Sequence, residues 1–361
     1  MITLIIFIAV LAVLVLVHEF GHFVIAKRAG MKVEEFGFGF PPRIWGIKKG
    51  ETVYSINAIP FGGFVKIFGE DGGDKNNPNS FASKPFWPRF KVLAAGVTMN
   101  FLLAVVLLMI GNFLGLRIGL DDQNISAGIS DVQVQISQVA KDSPAQEAGL
   151  RPLDVVKGYK LPDGTVINVF TSTDVQNFVK QYAGENVKIA IMRGDEYFEN
   201  NIELRKNPPA GQGAMGIALA TTGIVRYPWY EAIWRGAYNA VILTINIIFG
   251  FYMIFKQLLF TGSAGVEIGG PIFIATQTGQ AARIGINYLI QFVALISVNL
   301  AVLNFLPIPA LDGGRALLLI IEKLRKKALD VKLENMINSV GLSLLIMLMI
   351  YATIKDISRF L

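Results

Sequence analysis

The chain has no cysteine, only two histidines among 361 residues, and few charges, 17% of the total. The lack of cysteine removes disulfides, thiolate metal ligation and thiol catalysis together. Because His18 and His22 are the only histidines, a metal site that uses both must be completed by Asp or Glu. Soluble domains carry about 25% charged residues. The shortage here, against 53% hydrophobic residues, indicates a membrane protein with a soluble portion. The net charge of +6 does not point to nucleic acid, because the basic residues gather in loops beside apolar runs, as in cytoplasmic loops.

Residues 2–17 are apolar apart from Thr3, and the run resumes after His22 as far as Lys27-Arg28. It shows neither the basic start nor the small-residue cleavage site of a secretory signal, so residues 1–26 are expected to be a retained first span. Within it, His18-Glu19-Phe20-Gly21-His22 reads HExxH. On a helix, residues four apart share a face, so both imidazoles can reach one metal while Glu19 stands beside a metal-activated water. The motif also arises by chance, but two histidines and a carboxylate in apolar sequence are costly unless used. His18 lies about 24 Å along the helix from residue 2, toward its basic end.

The loop 27–91 holds eleven Lys/Arg against six Asp/Glu, an excess that marks the cytoplasmic side. Three stretches in it, at 34–40, 52–57 and 60–67, read as short strands, with Lys48-Lys49-Gly50 as a turn. Such a Gly-rich sheet could offer an edge to an extended peptide or merely cover the helix ends. Residues 92–116 form a second span, in which Asn100 and Asn112 read as helix–helix hydrogen-bonding residues rather than ligands. The interval 117–227 is too long and polar for a linker. Its stretch 139–156, VAKDSPAQEAGLRPLDVV, resembles the PDZ signature, with Leu153 where a glycine usually precedes the Asp. One PDZ domain is expected over about 131–206, able to bind extended peptide by strand addition.

Residues 228–286 combine an aromatic-led apolar stretch with a Gly-rich break at 261–270, and are expected to be an interfacial helix and a connector. Residues 287–321 make a third span interrupted by NFLPIPALDGG, 322–337 a second basic loop, and 338–358 a fourth span. Placing both basic loops in the cytoplasm requires that 239–260 not cross. The expected fold is thus a polytopic α-helical membrane protein of four transmembrane helices with a membrane-associated β-sheet and one extramembrane PDZ domain of α+β type. Both termini and the PDZ domain are then extracytoplasmic.

Asp312 is the carboxylate with a reason to lie at membrane depth, as a third zinc ligand with His18 and His22 or as an ordinary Asp-Gly turn residue. A three-ligand set leaves an open position, the mark of a catalytic zinc. Glu19 would act as the base, and Asn304 would either bond the developing oxyanion or tie two helices together.

Taken together, HEFGH in the first span, the FGFGF and PFGGFVKI strands, one PDZ domain and NFLPIPALDGG resemble the site-2 protease family of intramembrane zinc metalloproteases, in its bacterial sigma-E-regulating form. The resemblance covers nearly the whole chain. It implies one catalytic Zn2+ on His18, His22 and Asp312, with Glu19 and Asn304 catalytic. It implies substrate contacts at Gly37, Phe38, Gly39, Phe40, Gly62, Gly63, Pro307 and Pro309. It also implies a bacterial inner-membrane enzyme that cuts single-span proteins such as anti-sigma factors after an upstream site-1-type protease, with a peptide ligand at the PDZ domain. The alternatives are a PDZ-bearing membrane scaffold with a structural metal site, and a metal transporter.

Overall fold

An unbroken apolar run satisfies its backbone in the only way a single segment can, as a helix, and the chain is built on such helices. The computed structural model describes residues 2–122, 128–262, 269–327 and 329–360. In chain order, α1 (Ile2–Arg28) is followed by β1 (Val33–Lys49), β2 (Thr52–Ile67) and α2 (Phe86–Leu114). Next come β3 (Leu116–Gly119), β4 (Ser130–Val139), α3 (Pro144–Glu147), β5 (Val155–Lys160), β6 (Val166–Asn168) and α4 (Ser172–Gln181). Strands β7 (Asn186–Arg193), β8 (Glu196–Glu203) and β9 (Ile217–Val225) precede α5 (Trp229–Thr261), α6 (Pro271–Ile284) and α7 (Ile286–Phe305). The chain ends in α8 (Asp312–Arg325) and α9 (Val331–Phe360). It divides into two units, one of residues 1–110, 233–282 and 289–361, the other of 111–232 and 283–288.

Five described helices are long and apolar enough to cross a membrane: α1, α2, α5, α7 and α9. Two of them begin earlier than the apolar runs suggest. The aromatic stretch from Phe86 already belongs to α2, where Pro88 sits in the first turn and its missing N–H costs nothing. Helix α9 likewise starts at Val331, and α8 runs to Arg325, so the second basic loop shrinks to 326–330. Residues 263–268 of the Gly-rich connector lie outside the described residues.

In the helical unit, the β1–β2 ribbon packs against α1. Residues 33–38 of β1 lie between two stretches of β2, with Phe36 opposite both Val65 and Tyr54. That leaves the 63–67 leg at the side of the ribbon. Phe23, Phe36 and Tyr54 join the ribbon to α1, with ring centroids 5.3–6.3 Å apart. Met31, Val33, Ile67, Phe81, Val92 and Leu319 form a buried cluster at the basic end of the helices. Toward its turn, the ribbon exposes Phe40, Ile44, Trp45 and Ile47.

In the second unit the sheet order is β3-β9-β4-β5-β7-β8, with β6 on β5. Its core packs Val134, Ile136, Val156, Ile189 and Ile191 under α4, where Phe178 stacks on Tyr159 at 3.9 Å. The sheet extends beyond the expected 131–206, because β9 enters between β3 and β4. Such pairing between distant strands leaves no trace in local alternation. Leu153 adopts φ +74, the left-handed conformation that a glycine takes more cheaply. The turn is braced by its own N–H on the Ile136 carbonyl at 2.8 Å and by Asp154, whose carboxylate accepts two bonds from Arg193 at 2.7 Å each.

Helix α4 opens with a capping box between Thr171 and Asp174. In addition, Asp122 accepts from Ser172 Oγ, Thr173 N and Thr173 Oγ1 at 2.7–2.8 Å. Burial pushes the Asp122 carboxyl up, but hydrogen bonds from Ser172, Thr221 and Thr173 prevail and hold it down at about 2. A carboxylate depressed in the folded state stabilises fully above its unfolded value of about 3.9 and loses that contribution as pH falls through the folded value. The Thr173 amide should therefore keep its hydrogen-exchange protection at pH 4 and lose it toward pH 2, and Asp122→Asn should abolish this acid step.

Candidate active site

Three ligand atoms from two distant parts of the chain converge in the helical unit. Four residues apart on α1, His18 and His22 are both buried, with ring centroids 4.8 Å apart and Nε2 atoms 3.2 Å apart. Asp312 brings Oδ2 to 3.0 Å from His18 Nε2 and 3.3 Å from His22 Nε2. It stands in the first turn of α8, where the helix dipole favours a carboxylate.

Glycines make both approaches. A Cβ on Gly21 would lie 2.5 Å from the Ala95 carbonyl oxygen, and one on Gly96 only 2.6 Å from His18 Cε1 and Nε2. Without side chains at these positions, α2 can lie directly against the imidazole pair. The LDGG turn relies on the same device. Hypothetical Cβ atoms at Gly313 and Gly314 would collide with the carbonyls of Phe305, Leu306 and Ile308, so the segment after α7 can fold closely over the start of α8. Ala310 takes φ +74, and its N–H donates to Asn338 Oδ1 of α9 at 3.3 Å. Helix α8 starts at Asp312 itself, and so presents the carboxylate from a helical turn rather than a loose loop.

The donor set suits zinc. A tetrahedral ion with bonds of about 2.0–2.1 Å separates its ligand atoms by about 3.3 Å, close to the 3.0–3.3 Å found here. Asp312 Oδ2 is buried and, despite its closeness to both imidazoles, receives no hydrogen bond of acceptable geometry. Such an orphaned acceptor, facing two imidazole nitrogens, is what a cation would satisfy. His22 Nδ1 lies 2.8 Å from the Val92 carbonyl, which leaves Nε2 free to ligate.

The other expected residues are placed unevenly. Glu19 is half-buried, and a Cβ on Gly63 would lie 3.6 Å from its Cγ, so β2 runs past the glutamate. Gly37 lies beside that leg, where a side chain would meet Phe64 and Ser55, and Gly39 has φ +79. Phe38 pairs with Gly63. Phe40 is exposed and covers Gly62, 2.7 Å from where a Cβ would stand. Pro307 is exposed, whereas Pro309 packs under Gly341 of α9. Asn304, next to last in α7, makes no side-chain hydrogen bond among the described residues. Two contacts at the site escape the sequence reading: Gly96 under the imidazoles, and Asn100, which reaches His18. Their spacing of four on one apolar helix was the available signal.

A helical unit that buries two histidines and a carboxylate at metal-ligand spacing, with a glutamate adjacent in sequence, has the constitution of a membrane metallohydrolase. The model of peptidase family M50 matches residues 6–348. A provisionally named zinc metalloprotease of Clostridium perfringens is 35% identical over 346 residues, 95% of each chain. The regulator of sigma-W protease RasP of Bacillus subtilis is 28% identical over 443 aligned residues, covering 99% of this chain and 98% of its own. Zinc metalloprotease RasP of Bacillus licheniformis is 29% identical, covering 99% of each. The chain belongs to peptidase family M50, the site-2 proteases. It is a multi-pass membrane zinc metalloendopeptidase, and zinc is its cofactor.

Gly96→Ala should displace the imidazoles and lower the zinc bound per chain, with helix content unchanged. Metal analysis and circular dichroism of the purified protein check this.

Proposed function

We propose that this protein hydrolyses peptide bonds in or near the membrane-spanning segments of single-span proteins, at a zinc held by His18, His22 and Asp312. The observation that carries this is the convergence of His18 Nε2, His22 Nε2 and Asp312 Oδ2 within 3.3 Å of one another, on helices of a unit apolar enough for a membrane. Zinc, when bound, acidifies water and polarises the scissile carbonyl. Glu19 takes the proton of the attacking water and delivers it to the amine as the C–N bond breaks. Asn304 donates to the carbonyl oxygen as it gains negative charge.

A transmembrane helix hides its carbonyls and must unwind before it can be cut, which frees backbone groups that nothing in lipid can satisfy. The 60–67 leg of β2 suits this need, since it passes Glu19 at Gly63. A substrate strand added beside it would keep its backbone paired close to the catalytic glutamate. On this reading Gly37, Phe38, Gly39, Phe40, Gly62 and Gly63 shape the strand platform, and exposed Pro307 borders the path. Pro309 is the weakest member of the set, being packed under α9.

The proposed topology has four spans. Gly236 of α5 packs on Met109, near the end of α2 remote from Gly96. After α5, the chain reaches Gly270 against Ala352 and Asp356 of α9, and Gly279 then meets Thr3 of α1. Thr3 is about 22 Å along the helix from His18. The start of α5 and the start of α6 thus lie at the same end of the helices, so residues 236–270 make no net crossing. With 27–91 and 326–330 cytoplasmic, the termini and the second unit are extracytoplasmic in the bacterial inner membrane.

The second unit is read as one PDZ domain. Strand β9 pairs with β3 only through 222–225, so among the described residues one edge of 217–220 has no strand partner and could accept a peptide. The name of the B. subtilis relative, a regulator of a sigma factor, supports anti-sigma factors as substrates, cut after an upstream site-1-type protease.

Two measurements test the proposal. Glu19→Gln should retain zinc while cleavage of a single-span reporter in proteoliposomes falls at least 100-fold, about the scale of a lost general base; turnover near wild type would overturn the assigned role. The cysteine-free chain also permits single-cysteine labelling. A thiol at Gly262 should react from the same side as one at Asp195, and from the side opposite to one at Lys75.

A further inference from the structure

His18 and His22 are held differently on their far nitrogens. His22 Nδ1 faces the Val92 carbonyl at 2.8 Å, which can only accept. His18 Nδ1 faces the side-chain amide of Asn100, with Nδ2 at 3.4 Å. Asn100 is 1% exposed, and its Oδ1 is buried without a hydrogen-bond partner. An isolated polar side chain in apolar sequence normally finds a partner on a neighbouring helix. Here the only side chain Asn100 addresses among the described residues is a histidine of the metal cluster.

The protonation chemistry of imidazole decides what that contact can do. A neutral imidazole carries one N–H, and the nitrogen bound to a metal must be the other one. If Asn100 Nδ2 donated to His18 Nδ1, the proton would sit on Nε2 and point at Asp312 and His22. That tautomer cannot ligate. For Nε2 to offer its lone pair, Nδ1 must carry the proton and needs an acceptor. A half-turn of the amide about its terminal torsion brings Oδ1 to that place, an exchange that leaves the shape of the side chain unchanged.

We propose that Asn100 is a positioning residue, whose side-chain carbonyl accepts the Nδ1 proton of His18 and thereby fixes Nε2 as a metal ligand. The inference rests on the reading of His18, His22 and Asp312 as the zinc ligands. Three positions on α2, one turn apart, then serve the pair: the Val92 carbonyl orients His22, Gly96 clears room for both rings, and Asn100 orients His18. The backbone at Asn100 is itself tied down, since Ser297 Oγ of α7 donates to its carbonyl at 2.7 Å. The second-layer contact is thus anchored from a third helix.

The test is zinc affinity of the full-length protein in detergent, by chelator competition with zinc alone, for wild type, Asn100→Leu, Asn100→Asp and Asp312→Asn. Asn100→Leu keeps the volume and removes the acceptor, and should weaken zinc binding roughly 10–100-fold, the range for loss of such a partner. Asn100→Asp keeps an acceptor and should hold zinc within about three-fold of wild type or more tightly. Unchanged affinity in Asn100→Leu overturns the proposal. So does equal loss in the Leu and Asp variants when both melt like wild type, since the residue would then act by packing alone. If Asn100→Leu fails to fold, Asn100→Asp, which keeps the acceptor in place, compared with Asn100→Ala decides the matter: equal affinities overturn it. Asp312→Asn separates the two levels. Unchanged zinc binding there removes the ligand set itself, whatever Asn100 does.

Discussion

Two imidazoles and a carboxylate, each with its ligand atom within 3.3 Å of the others and all largely withdrawn from water, form an arrangement that apolar helices alone would not tolerate. Desolvating one unpaired carboxylate costs several kcal/mol even after the surroundings relax. Here the acceptor Asp312 Oδ2 has no hydrogen-bond donor of its own. The three atoms have the composition and spacing of a group that could hold a metal ion, and much of the helical unit can be understood as what brings them together from residues 18, 22 and 312.

Close approach is the means. The glycines at 21, 96, 313 and 314 are positions where a Cβ would collide with an imidazole or a backbone carbonyl. Small residues at helix contacts are general in membranes, where packing has to replace the hydrophobic drive that lipid cannot supply. In this chain they have a second consequence, because each contact they allow lies beside a member of the histidine–aspartate cluster. The loop that carries Asp312 is held by the same logic. Asn338 from α9 bonds its Ala310 N–H, and an ion pair between Arg315 and Glu70 links α8 to the loop after β2.

The apolar helices and the HExxH pair were legible in the sequence because their signals are local: hydrophobic runs of spanning length, and two histidines one turn apart. The lack of cysteine and of a third histidine narrowed the expected partner to Asp or Glu, and place at membrane depth singled out Asp312, which lies beside both imidazoles. What stayed hidden depends on distant neighbours. Strand β9 joins the sheet beside β4, some ninety residues earlier, and nothing in residues 217–225 announces that pairing. Asn100 reads as an ordinary helix–helix contact until α1 is laid against α2. Helix α5 is the reverse case. Its 33 residues are long and apolar enough to cross, and the proposal that it does not rests on contacts far from it in sequence, of Gly236 with Met109 and of Gly270 with Ala352.

The placement of β2 bears on why a soluble type of secondary structure lies beside a membrane helix at all. Hydrolysis needs an extended substrate, and in lipid an extended segment leaves N–H and C=O groups unpaired at several kcal/mol each. Helices cannot pair those groups, because their own are already used. A strand edge can, and Gly63 sets that edge against Glu19 with no side chain between them. The cost of unwinding is then offset where the cut is made. On the proposed mechanism a bond reaches Glu19 only when the segment has left the helix and joined the ribbon, so the strand edge would select substrates by the ease with which their helices unwind. Helix-breaking glycine or proline near the scissile bond lowers that cost by weakening the competing helix, while an unbroken leucine-rich span would resist cleavage even with its peptide bonds at the right depth.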